Sequence, residues 1–123
     1  MSPEFIKQDF ESALVKHFSF KARLRSFLYG NDSAQAPLRD PDQCSFGQWI
    51  ANRWQGPYAH VPEMRDLDRE HRLIHQRANS LIDLRMAGRQ EEALAGFREV
   101  QQQADQVVLL LRTIEDKLRT AEA

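Results

Sequence analysis

The chain has 123 residues, of which 41% are hydrophobic and 28% charged, and a formal net charge of -1 at pH 7. These values fit one folded domain over residues 1–123 and exclude a disordered chain or a strongly basic nucleic-acid binder. The single cysteine excludes an internal disulfide; with no apolar run long enough to span a membrane and no signal-like segment in MSPEFIKQDF, a cytoplasmic location is expected.

The first predicted helix is carried by Phe10, Leu14, His17, Lys21, Leu24 and Leu28, which recur at steps of three and four. Gly30 is its expected stop. Most of the glycines and prolines then fall between Gly30 and Pro62, which marks a loop-rich stretch. Within that stretch, Ser45–Arg53 reads as a short helix with Phe46, Trp49 and Ile50 on one side, opened by Cys44.

Pro62 precedes the next long helix, close to the first-turn position where proline is favoured. That helix is carried by Met64, Leu67, His71, Ile74, Ala78, Leu81 and Arg85 and ends at Gly88. The last helix keeps the same rhythm through Ala93, Phe97, Val100, Ala104, Val107, Leu111, Ile114 and Leu118. A period near 3.5 suits helices packed at roughly 20° to one another. No alternating strand pattern is present. The predicted fold is all-α: an antiparallel four-helix bundle, ~36–45 Å long, whose short, interrupted second helix carries Cys44.

Three histidines fall on predicted core faces. His17 lies in the seam of the first helix, and His71 holds the matching position between Leu67 and Ile74. His75 is one turn further on, the spacing at which two imidazoles can grip one ion. Cys44 sits where a helix N-terminus favours a thiolate. The plain alternative is three hydrogen-bonded core histidines and a small buried cysteine. Against it, three buried imidazoles each need a polar partner and the stripes offer few, whereas one thiolate and three imidazoles make a complete tetrahedral set for zinc. His60, in the loop, breaks no stripe and is expected to face solvent.

The run Cys44-Ser45-Phe46-Gly47-Gln48-Trp49 resembles the signature Cys-x-Phe/Leu-Gly-x-Trp/Tyr of the chemoreceptor zinc-binding domain family. The family's histidine order, one before the motif and two after it, is matched by His17, His71 and His75. The likeness covers roughly residues 6 to 115. It implies one Zn2+ per chain held by His17, Cys44, His71 and His75, with Gly47 permitting close helix approach and Phe46 and Trp49 anchoring the short helix. It also implies a homodimer and a sensory module coupled to an output domain or partner protein, with chemotaxis or cyclic-di-GMP synthesis as the output. No output domain is recognisable in the chain itself.

Enzymatic readings have little support. Four protein ligands leave no open zinc position, and no triad or phosphate loop is present. A di-iron bundle needs two Glu-x-x-His motifs, and Asp68-Arg69-Glu70-His71 is only a loose echo of one. The arginines at 65, 69, 72, 77, 85 and 89 interleave with acids and read as a solvated face, so no nucleic acid, membrane insertion or small-molecule substrate is expected. Leu109 and Leu110 widen the last stripe beyond what one partner helix needs, which suits a second subunit. The expected role is a zinc-sensing module, with oxidation of Cys44 as a second candidate input; a structural zinc staple in a dimerisation bundle is the competing reading.

Overall fold

The computed structural model describes residues 1–122. Its elements are α1 (Pro3–Leu28), α2 (Ala36–Arg39), α3 (Ser45–Gln55), α4 (Glu63–Met86) and α5 (Gln90–Glu122), with no strand among the described residues. Helix α1 opens on Ser2, whose hydroxyl accepts from the Phe5 amide at 3.1 Å, with Pro3 in the first turn.

Two glycines end helices in the same way. Gly30 and Gly88 have φ of 106° and 80°, a left-handed conformation that residues with a Cβ rarely adopt. Each places the next amide on a carbonyl five residues back, Asn31 on Ser26 and Arg89 on Leu84. These are the paired bonds of a helix-ending motif in which glycine is preferred.

Cross-helix contacts fix the directions. Gln90 at the start of α5 donates to the Leu28 carbonyl at the end of α1, and Lys117 near the end of α5 pairs with Glu63 at the start of α4. Helix α5 is therefore antiparallel to both α1 and α4. Phe46 of α3 lies beside His17 while Arg53 reaches Asp9, so α3 also runs against α1. The order is up, down, up, down.

The second column is short and interrupted, as expected, although the sequence does not place its first piece. It is built from two pieces, α2 with its buried Leu38 and then α3, which extends to Gln55. Helix α2 is too short to show a hydrophobic period.

The buried face of α1 is Ile6, Phe10, Ala13, His17, Phe20, Leu24, Phe27 and Leu28, with Leu14 and Lys21 only half-buried at its flank. In α4 the predicted stripe from Met64 to Leu81 is buried throughout, and His75 and Ile82 join it. In α5 Ala93, Val100, Ala104, Val107, Leu111, Ile114 and Leu118 are buried, and Phe97 is half-buried. The arginines of α4 mostly carry carboxylate partners, among them Arg69 with Asp66, Arg72 with Asp68 and Arg77 with Glu99. That is the mixed, solvated face the sequence predicts.

Candidate metal centre

Four buried residues of the described chain are polar: Asp9, His17, His71 and His75. They form two groups. Asp9 accepts from Trp49 Nε1 at 3.2 Å, from Arg53 Nε and Nη2 at 2.8 and 2.6 Å, and from the Tyr58 hydroxyl at 2.6 Å. Burial alone raises a carboxyl pKa, but these donors and the Arg53 charge outweigh it and hold Asp9 below its ordinary range. This group is closed within the protein.

The histidine group is open. Cys44, His71 and His75 each direct one ligand atom into a common space, all within 4.8 Å of one another, and all three residues are buried. The i, i+4 spacing on α4 sets the two imidazoles edge to face with ring centroids 4.6 Å apart. His75 Nδ1 donates to the Leu38 carbonyl at 2.8 Å, which leaves a lone pair on Nε2. That nitrogen faces His71 Nε2 at only 3.1 Å. In the metal-free protein one imidazole must donate to the other; a cation takes the lone pairs of both. Fixing one ring nitrogen on a backbone carbonyl so that the other is presented is the usual support of a metal-bound histidine.

Cys44 occupies the N-cap of α3, as predicted, and is 3% exposed. The expected effect on its acidity is overturned. Burial pushes the thiol pKa up, and the Gly47 and Phe46 amides, which pull it down, do not prevail. The helix end alone does not make a thiolate here; a bound cation supplies the missing charge. The histidines are already poised. Burial holds His71 down at about 3, with the neighbouring charges of His75, His17 and Arg72 adding to it. Burial likewise lowers His75, against the pull of the Leu38 carbonyl. Near neutral pH the imidazoles are therefore unprotonated, and metal binding displaces a proton from Cys44 alone.

Gly47 shows how closely α3 seats. A Cβ there would lie 1.9 Å from the Pro41 carbonyl oxygen and 2.8 Å from Cε1 of His71. Phe46 packs between the histidines, with its ring centroid 5.3 Å from both His17 and His71. Trp49 stacks behind it and also donates to Asp9.

His17 is 2% exposed and lies beside this centre, but it is not one of the three residues that share the common space. Its Nε2 donates to the Ala104 carbonyl at 3.1 Å, which leaves Nδ1 as the nitrogen with a lone pair. Burial holds its pKa down at about 4, with the Ala104 carbonyl opposing. His60 is exposed. Sequence reasoning missed Asp9, although a carboxylate between the buried positions Ile6 and Ala13 was a visible hint, and it missed Tyr58 and Leu38 as partners.

A soft sulfur and two imidazole nitrogens, buried and aimed at one point, are a donor set suited to zinc. No curated protein and no solved structure matches the chain. The family model of the chemoreceptor zinc-binding domain matches residues 17–82, from His17 into the last turns of α4, just over half of the chain and the part that holds the cysteine and all three buried histidines. By that match, and by the donor cluster it encloses, the chain belongs to the chemoreceptor zinc-binding domain family, a family of zinc-binding signalling modules.

Proposed function

We propose that the chain is a zinc sensor: Cys44, His71 and His75 hold one Zn2+, and its gain or loss is the input to a signalling partner. The observation that carries this reading is the pair of Nε2 atoms facing each other at 3.1 Å beside a buried cysteine, with His75 Nδ1 already committed to Leu38. His17 is the fourth ligand in this reading, through the nitrogen not bonded to Ala104. Bound zinc would supply a charge that keeps Cys44 as a thiolate; the chain's own residues orient the imidazoles and exclude water.

The sensor reading is favoured over a permanent staple by the rest of the core. The long helices bury continuous apolar stripes, and Asp9 ties α3 to α1 without any metal. The ion is thus not needed to hold the bundle together. Cys44 is also the single oxidisable donor of the site, so its oxidation by hypochlorous acid is a second route to zinc loss. The module works in the cytoplasm as a homodimer, in which the exposed Leu109 meets a second copy, and its output is chemotaxis or cyclic-di-GMP synthesis. Nothing in this reading requires catalysis, nucleic acid or a small-molecule substrate.

Metal analysis followed by titration against a competing chelator tests the proposal. One zinc per chain, exchanging near physiological free levels, is expected. No stoichiometric zinc would refute it, and zinc that never exchanges would return the staple. For the oxidant route, Cys44 should be oxidised with zinc release before the exposed Met86; zinc retained with Cys44 reduced while Met86 oxidises would remove it.

A further inference from the structure

Residues 35–44 run beside α4 past its two histidines and are fastened to it by polar bonds at two places. At the first, Arg39 donates from Nη1 to Asn79 Oδ1 at 3.1 Å and from Nη2 to Asp83 Oδ1 at 2.8 Å, while Asn79 Nδ2 donates back to the Arg39 carbonyl at 3.0 Å. At the second, Asp42 accepts from Arg72 Nη2 at 3.0 Å, and Arg72 is itself steadied by Asp68. Between the fastenings, the Leu38 carbonyl holds His75, and the Pro41 carbonyl lies against Gly47 beside the His71 ring.

With this segment in place, Cys44, His71 and His75 are 3%, 3% and 1% exposed, so an ion cannot pass in or out unless some element moves. The long helices are held by continuous apolar faces, and α3 is pinned at Trp49 and Arg53 by Asp9. The segment itself contributes one four-residue helix and one buried side chain before Cys44, Leu38. Its remaining ties to α4 are the buried bond from His75 to the Leu38 carbonyl and the two polar fastenings, which are half-buried or exposed.

We propose that residues 36–44 are a strap that must lift for the metal to exchange, and that the Arg39–Asn79–Asp83 and Asp42–Arg72 fastenings set the exchange rate. The inference rests on reading Cys44, His71 and His75 as the metal centre. None of the fastening side chains is a metal donor, so weakening them should speed uptake and release together and leave affinity nearly unchanged.

The test is the rate at which zinc-loaded protein gives up zinc to excess 4-(2-pyridylazo)resorcinol, measured beside the equilibrium affinity by competition. Asn79→Ala, which removes two bonds of the first fastening, should release zinc about tenfold faster, and Asp42→Ala severalfold faster, at near wild-type affinity. Glu99→Ala breaks the Arg77–Glu99 pair between α4 and α5, away from the strap, and should change neither value. Wild-type release rates in both strap variants would overturn the proposal. So would affinity falling in step with the gain in rate, because the fastenings would then support the ligands rather than gate them. Amide exchange in the zinc-loaded wild type needs no variant: residues 38–44 should open more often than α3 and α4, and equal protection would count against the strap. If the wild type takes up no zinc at all, the reading of the site fails and the strap falls with it.

Discussion

The bundle holds two buried polar groups of opposite character, one around Asp9 on α1 and one formed by Cys44 with His71 and His75 of α4. Around Asp9 the bonds are complete: Trp49, Arg53 and Tyr58 donate, and the carboxylate accepts them all. Around His71 and His75 two ring nitrogens share one proton at 3.1 Å beside a thiol whose ionisation burial opposes. Buried polar groups are normally satisfied. A group the protein satisfies itself is structural, whereas one whose lone pairs converge on a shared space is arranged for something the protein must bind.

The comparison can be broken most forcefully at Cys44. Cys44→Ala should lower zinc affinity by roughly a thousandfold, the share of one ligand in a structural-zinc binding energy, and leave metal-free stability almost unchanged. Asp9→Ala should do the reverse. It strands the Arg53 charge, the Trp49 N–H and the Tyr58 hydroxyl, at a cost of about 3 kcal/mol in denaturant unfolding with or without zinc. If both variants lose affinity and stability alike, the two groups are one.

Gly47→Ala acts on the contact between α3 and the strap. Its Cβ would collide with the Pro41 carbonyl and the His71 ring, so unfolding should show a loss of about 2 kcal/mol, with weaker zinc binding besides. Wild-type stability would mean that α3 seats less closely than described.

The response to acid separates the two groups by pH. Histidines kept neutral by burial protonate first in the unfolded chain, so metal-free stability should fall as pH drops below about 6.5, by on the order of 1 kcal/mol per pH unit for each. The loss continues until His17 and His71 protonate in the fold, at about 4 and 3. Asp9 has the same sign in a lower window: its contribution is complete above its ordinary value of 3.8 and is lost as pH falls below that toward its lower folded value. Stability that stays flat from pH 7 to pH 5 in metal-free protein would contradict the burial of the histidines.

Much of this was legible beforehand because it repeats. The stripe from Met64 to Leu81 is buried residue for residue, and the imidazoles at 71 and 75 meet because i, i+4 spacing brings them together. What the sequence hid is what does not repeat. Helix α2 spans a single turn, and the bonds from Leu38 to His75 and from Arg53 to Asp9 join residues 37 and 44 apart. The acidity of Cys44 is misread from sequence because the helix end is local and visible, while the burial that overrides it comes from tertiary packing that leaves Cys44 3% exposed.

Zinc-edge X-ray absorption on the stoichiometric complex tests the central claim most directly. The account predicts one zinc per chain with a single sulfur neighbour and imidazole scattering, the sulfur vanishing in Cys44→Ala and persisting in Asp9→Ala. Zinc surrounded only by oxygen and nitrogen in the wild-type protein, or a sulfur shell that survives loss of Cys44, would contradict it.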